Sequence, residues 1–182
     1  MKPTLETARL RLVPLGPEHV EPMIAMQSDP ETMRFLGDGT PQTRAIAWRA
    51  VAAMIGHWEI RGFGLWAVED KASGAFLGRM GLWEPEGWEC PEISYALATV
   101  ARGHGYASEG ARAVLAQGNR QLAARLHTQK MGLASFIRRD NIASIRVATA
   151  LGACFEKTIE LFGSTADLYR YPLPQPDITR DA

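Results

Sequence analysis

"EISYALATVARGHGYASEGARAVL", residues 92–115, is the stretch on which the fold turns. Its start reads as a strand, Gly103 and Gly105 mark a loop, and Ala111, Val114 and Leu115, with Leu122 just beyond, share one side of an amphipathic helix. The start of a helix leaves several backbone N–H groups without intrahelical partners and carries partial positive charge. Glycines let the chain curl so that successive amides converge on one anion, with no Cβ to hold it off. Arg102 adds a full charge beside the loop, and Ala107 and Ser108 are small where bulk would push an anion out. The stretch reads either as a plain strand-to-helix turn or as a cradle for phosphate. Two other phosphate loops are set aside: the chain has no G-x-x-x-x-G-K-[ST], and Ser108 stands where the dinucleotide fingerprint needs its third glycine.

Upstream, residues 5–15 (LETARLRLVPL) alternate as a strand. Gly16-Pro17 opens a helix through Val20, Met23, Ile24 and Gln27, which Asp29-Pro30 closes. An alanine-rich second helix follows within 41–62, stopped at Gly62. Three neighbouring strands come next, in FGLWAVED (63–70), AFLGRMGLWEP (75–85) and PEISYALA (91–98), the first two joined by a hairpin turn at Lys71–Gly74. Beyond the central helix, TQKMGLASFI (128–137) reads as a strand with Met131-Gly132 its weakest point. Asn141 caps a helix carrying Ile142, Ile145 and Leu151, and Gly152 stops it. ACFEKTIELFG (153–163) and STADLYRYPLP (164–174) read as a closing pair of strands, and 175–182 as a flexible C-terminal tail. The order predicts one α+β domain over residues 5–174. Its mixed sheet is mostly antiparallel, with one parallel pair made by the strand–loop–helix–strand crossover and helices on its flanks.

A chain of 182 residues is long enough for one core without disulfides or metal. Its 20 basic side chains balance 20 acidic ones, so no global field favours nucleic acid or an anionic membrane. Cys90 and Cys154 match no metal-ligand spacing and read as reduced, partly buried thiols. The opening MKPTLETARLRLVPLG lacks the apolar run of a signal peptide, and no segment approaches the roughly 20 apolar residues that span a bilayer. A cytoplasmic location is expected.

The quoted stretch resembles the central motif of the GNAT superfamily of acyl-CoA-dependent N-acetyltransferases, a strand followed by Q/R-x-x-G-x-G/A and a helix. Arg102, Gly105 and Ala107 fill its defined places. RRDNIASIRVATALGA (138–153) is similar to the next motif, N-x-x-[AS]-I-x-x-x-x-x-L-G-[AF]. The opening LETARLRLVPL and the close ELFGSTADLYRYPL resemble the branch that holds the bacterial ribosomal-protein N-terminal acetyltransferases. The resemblance covers about residues 5–174 and implies that the parallel strands splay apart, leaving unpaired backbone for a ligand. It implies acetyl-CoA as cosubstrate, with no metal. The pantetheine arm would pair with main chain near Leu97 and Thr99. The diphosphate would lie on Arg102, Gly103, His104, Gly105, Tyr106 and Ala107, and Asn141 would donate to the arm while capping its helix. Glu109, in the first turn, is expected to point sideways.

The chemistry so implied is attack of a neutral amine on a thioester. An α-amino group titrates near 7.7–8.0 and a lysine near about 10.4, so a protein N-terminus needs less help than a lysine. Glu92 is the best placed base, acting directly or through water, with Glu89 second. Ser144 is expected near the thioester sulfur. Many members place a tyrosine seven residues after the asparagine to protonate the departing thiolate; here that place is Ala148. The acceptor is a protein N-terminus or a small-molecule amine, with acidic residues around Glu84–Glu92 suiting a cationic one. A homodimer is possible. Two alternatives stand beside this reading: an acyl-CoA-binding sensor without turnover, which Ala148 favours, and a structural module whose glycine loop is only a turn. Core packing explains most of Trp48, Trp58, Trp66, Trp83 and Trp88, and if any touch substrate the choice is Trp83 and Trp88, which flank the Glu84–Glu86 connection. His19, His57 and His127 read as surface or packing residues.

Overall fold

In the computed structural model of the protein, residues 2–161 and 163–174 are described; the expected tail at 175–182 lies outside them. Among the described residues one sheet of eight strands is flanked by six α-helices. The strands are β1 Leu5–Glu6, β2 Leu10–Pro14, β3 Leu65–Asp70, β4 Phe76–Trp83, β5 Glu92–Leu97, β6 Ala134–Ile137, β7 Cys154–Leu161 and β8 Ser164–Arg170. The helices are α1 Val20–Gln27, α2 Pro30–Met33, α3 Arg44–Arg61, α4 Tyr106–Gln121, α5 Ala123–Gln129 and α6 Ile142–Ala150. Strand order is β1-β2-β3-β4-β5-β6-β8-β7, antiparallel throughout except between β5 and β6.

Strand alternation decides which helices cover which face. Trp66, Val68, Met80, Leu82, Ile93 and Leu97 join a core under α4 and α6, with Val114 and Ala148. Leu65, Ala67 and Ala96 point the other way, into a smaller core with Met23 and Met26 of α1 and Val51 and Met54 of α3. Helix α4 presses onto the sheet through its glycines. A Cβ at Gly110 would strike Met80 Sδ, and one at Gly118 would lie 2.8 Å from Leu133 Cδ1. That close seat sets where the glycine loop at its leading end must lie.

The parallel pair is barely a pair. Glu92 opposite Ala134 is its one register match, whereas all four residues of β6 pair with β8. Ser135 Oγ donates to the Ile93 carbonyl at 2.8 Å, and beyond that point β5 and β6 part.

Three expectations about the elements are corrected. Residues 5–15 are a hairpin, because Thr7 N–H donates to the Leu10 carbonyl and Leu10 N–H to Thr7 Oγ1, a turn made without glycine. Asp29 does more than close a helix: it caps a further turn, α2, by accepting from Glu31 N–H. The strand expected over 128–137 shrinks to β6, because α5 runs to Gln129 and Lys130 turns the chain with φ of 51°. The other elements fall where the sequence puts them, including the Asn141 cap, whose Oδ1 accepts from Ser144 N–H at 3.2 Å. Both cysteines are free, but Cys154 is exposed rather than partly buried.

Candidate active site

A groove follows the parting of β5 and β6. One segment is lined by Leu97, Arg102, Ala107, Asn141 and Ser144, joined by Tyr95. A second is lined by Glu92, Arg79, Trp83, Trp88, Phe136 and Arg138. A third, narrow segment joins them, sharing Tyr95, Asn141 and Ser144 with the first and Glu92, Phe136 and Arg138 with the second. Phe35 and Leu36, in the turn after α2, line all three. Nothing in the sequence pattern marked those two residues.

At one end stands the glycine loop. Gly103 and Gly105 have φ of 80° and 77°, left-handed values that suit glycine and bend the chain sharply into α4. No side chain caps that helix. Among the described residues no group accepts from the N–H groups of Gly103 to Ser108. These amides are therefore available to an anion.

The loop is pinned from behind by the N-terminal hairpin. Arg9 Nη1 donates to the His104 carbonyl at 2.9 Å, and its guanidinium lies 4.6 Å from the centre of the Tyr106 ring. Glu109 turns sideways, as expected, and holds the same hairpin. It accepts from Thr7 Oγ1 at 2.5 Å, from Arg9 N–H at 2.8 Å and from Arg9 Nε at 2.8 Å. Partial burial works against its charge, but these donors outweigh it and hold the carboxyl below its usual range.

Arg102 behaves differently from the expectation. Its Nε donates to the Leu97 carbonyl at 3.3 Å and its Nη2 to the Glu31 carbonyl at 3.1 Å, so it ties the loop to α2 rather than reaching over the glycines. Thr99, also expected at the ligand, donates to Asp29 Oδ2 at 2.6 Å and does not line the groove. Gly103, His104, Gly105 and Tyr106 lie between two groove residues, Arg102 and Ala107, without lining the groove themselves.

At the other end Glu92 and Ser94 share a face of β5 with Arg79 and Trp83 of β4. Burial drives the Glu92 carboxyl up to about 7, against the pull of the Trp88 indole N–H, the Arg79 cation, the Ser94 hydroxyl and the Phe136 amide. The Trp88 contact is 3.2 Å. A carboxyl balanced near neutrality, inside a cavity, is suited to accept a proton and give it back. Tyr95, which the sequence reading passed over, donates to the Ser144 carbonyl at 3.0 Å where the two ends meet. Ala148, on the inner face of α6, is fully buried, and its methyl group offers no acid.

The remaining carboxylates nearby are engaged elsewhere. Glu84 is held by Arg125 through both oxygens, Glu86 pairs with Arg61 at 3.3 Å, and Glu89 with Lys157 at 2.9 Å. Trp58 and Trp66 are core residues, Trp48 is exposed, and Trp83 and Trp88 line the cavity. His19 and His57 are buried and hydrogen-bonded to backbone. Among the described residues no His, Cys, Asp and Glu group could hold a metal ion, and no helix is long and apolar enough to cross a membrane.

Known proteins share both the sequence and this architecture. The FsC-acetyl coenzyme A-N(2)-transacetylase of Aspergillus fumigatus is 30% identical over 186 residues, covering 97% of this chain and 72% of its own. A GnaT-family acetyltransferase from Bordetella pertussis superposes with a TM-score of 0.76 at 25% identity, over 94% of this chain and 100% of that one. The fold is also that of RimL, a ribosomal L7/L12 α-N-protein acetyltransferase solved in complex with coenzyme A. The TM-score there is 0.71 at 17% identity, over 92% of this chain and 96% of that one. Residues 9–153, which carry both the glycine loop and the Asn141 helix, match the family model of the acetyltransferase (GNAT) domain, and the chain belongs to that family of acetyl-CoA-dependent acetyltransferases.

Proposed function

We propose that this acetyltransferase passes the acetyl group of acetyl-CoA directly to a primary amine, both substrates being bound at once in the two ends of the groove. One observation carries the reading. A single groove runs from Ala107, in the first turn of a helix whose leading amides are unpartnered, to a carboxyl balanced near pH 7. The first suits the diphosphate of coenzyme A, and the second suits the proton of an attacking amine.

In this reading the N–H groups of Gly103, His104, Gly105, Tyr106 and Ala107 hold the diphosphate, and Arg9 and Arg102 brace the loop from either side. The pantetheine arm follows the parting of β5 and β6 past Leu97, with the Asn141 amide donating to it, and Thr99 stays off the groove on Asp29. The Leu97 carbonyl already accepts from Arg102, so the arm meets β5 through whatever donors and acceptors that contact leaves. The amine enters beside Trp83 and Trp88, and Glu92 accepts its proton as nitrogen attacks the thioester carbon. The C–N bond forms, the C–S bond breaks and the thiolate departs. A thiol titrates near about 8.5, so its anion leaves without a strong acid. Ser144 lines this part of the groove and its hydroxyl is a donor there, whereas the Tyr95 hydroxyl already donates to the Ser144 carbonyl.

The relative named an N(2)-transacetylase supports a nitrogen acceptor. The sensor alternative explains Ala148 but gives Glu92 no task. Thiol release from acetyl-CoA with a panel of amines tests the choice, together with initial rates in which both substrates vary. Intersecting reciprocal lines are expected. Parallel lines, from an acetyl-enzyme intermediate, would overturn direct transfer, and tight coenzyme binding with no turnover on any amine would favour the sensor.

A further inference from the structure

The charges lining the Glu92 cavity are not those the sequence suggests. The carboxylates of the β4–β5 connection, Glu84, Glu86 and Glu89, are paired with basic side chains and none lines the cavity. The charged residues that do line it are Arg79, Arg138 and Glu92.

Arg79 is the one charged residue in the strand FLGRMGLW, and it is only 9% exposed. Among the described residues its guanidinium makes one hydrogen bond, Nη1 to Ser94 Oγ at 3.1 Å, and no ion pair. Buried guanidinium groups normally have their donors filled and their charge matched, because removing them from water is costly. Burial here depresses the Arg79 pKa, and the Glu92 charge offsets this only in part. Arg138 at the rim has one distant partner, Asp140 at 3.8 Å. Two cations thus face a single carboxyl that burial pushes toward its neutral form.

We infer that Arg79, assisted by Arg138, is a subsite for a carboxylate carried by the acceptor, so that the preferred acceptor is a small amino-acid-like primary amine. The inference rests on the reading of this cavity as the acceptor site. A cavity of about 140 Å³ walled by Trp83 and Trp88 suits a compact molecule better than a long polyamine. The same cations disfavour an ammonium group beside them, and so favour the neutral amine that attacks. A plainer role for Arg79 is to tune the charge of Glu92. The two roles are separable, because tuning acts on every acceptor alike whereas a carboxylate subsite acts only on acceptors that carry one.

The test is a matched panel followed by thiol release from acetyl-CoA: an α-amino acid, its methyl ester and the corresponding alkylamine, each rate corrected for its fraction of free amine. The wild-type protein is expected to prefer the acid over the ester by about tenfold or more in kcat/KM, the size of a hydrogen bond to a charged group. Arg79→Met should bring that ratio close to one, with partial recovery in Arg79→Lys. Equal rates on acid and ester would overturn the carboxylate subsite while leaving acyl transfer to amines intact. So would an Arg79→Met protein that loses rate on every acceptor equally and moves the pH profile. A preference seen only with peptides bearing aspartate over asparagine at the second position would move the acceptor to a protein N-terminus and overturn the small-molecule assignment. No turnover on any amine would remove the transfer reading itself, and this inference with it. If Arg79→Met does not fold, the wild-type acid-to-ester ratio alone decides.

Discussion

At the glycine-loop end of the groove the chain offers main-chain N–H groups from one continuous stretch, Gly103 to Ser108. At the tryptophan end it offers side chains from β4, β5, β6 and the connections between them. The first end is specified locally, by residues that permit a backbone shape. The second is specified by register, since Arg79 meets Ser94 and Glu92 only because β4 and β5 pair as they do. One end therefore suits a ligand part common to every acyl-CoA enzyme, and the other a ligand that differs between relatives. Changes at the two ends should consequently fail in different ways.

The largest difference is expected from Glu92→Gln. Removing a general base costs about 10²–10⁴ in kcat, while the KM for acetyl-CoA, set at the far end, should hardly change. Wild-type kcat/KM for an amine should rise with pH through about 7 as Glu92 loses its proton, and the variant should lack that inflection. A pH series under initial-rate conditions checks both. An unchanged inflection in the variant would assign the titration to the amine alone.

Stability should carry the same signature with the opposite sign. Glu92 titrates near 7 in the folded chain and near its ordinary 4.5 when unfolded, so folding holds a proton that the unfolded chain has already lost. That contribution is complete below pH 4.5 and disappears as pH rises through 7, worth about 3 kcal/mol between pH 4 and 8. Urea unfolding at pH 5 and at pH 8 should show the loss in wild type. Glu92→Gln should be free of that component.

The glycine end should break more gently. Deleting the Glu109 carboxylate removes its hydrogen bonds from the Thr7 hydroxyl and the Arg9 amide at a cost of about 1 kcal/mol, because water replaces it at exposed Arg9 and Thr7 keeps the Leu10 carbonyl at 3.3 Å. Glu109→Ala should raise KM for acetyl-CoA several-fold and leave the pH inflection of Glu92 in place. A double-mutant cycle with Arg9→Ala should give a coupling of about 0.5–1 kcal/mol, modest because Arg9 is half-exposed. Gly105→Ala is no larger. It places a Cβ at φ of 77°, a strain of about 1 kcal/mol, and should lower the melting temperature by about 2–4 °C.

The legibility of the sequence follows the same division. The glycine loop, the Asn141 cap and the β3–β4 hairpin were readable because each is a short run whose chemistry is completed by its neighbours. Glu109 was readable in direction, since a carboxylate facing the same amides would repel an anion. Its partners were not, because Arg9 lies 100 residues away. Arg102 was legible only in part for the same reason: it lines the groove, but its hydrogen bond to the Glu31 carbonyl of α2 lies 71 residues away in the chain. The hairpin at Leu5–Pro14 hid behind unbroken alternation, its turn closed by a threonine side chain instead of a glycine. At the tryptophan end Glu92 was singled out from its position before the motif, and it lines the cavity. Arg79 carried one signal that went unused, a lone charge inside an apolar strand. Phe35 and Leu36 carried none.

The smallest expected effect separates the acidic connection from the cavity it flanks. Glu86 lies fully exposed at its side chain, 3.3 Å from Arg61, and lines no part of the groove. If the negative charge of residues 84–92 drew in cationic acceptors, Glu86→Gln should weaken a diamine more than a monoamine. The pairing of Glu84, Glu86 and Glu89 with basic side chains argues against such a pull, since a neutralised pair has little field beyond a few ångströms in salt. Relative kcat/KM for diamine and monoamine should therefore stay within about twofold of wild type at 0.15 M salt. A selective loss on the diamine would mean that the loop's charge reaches the acceptor despite its partners, and would weaken the case that Arg79 and Arg138 set the sign of the site.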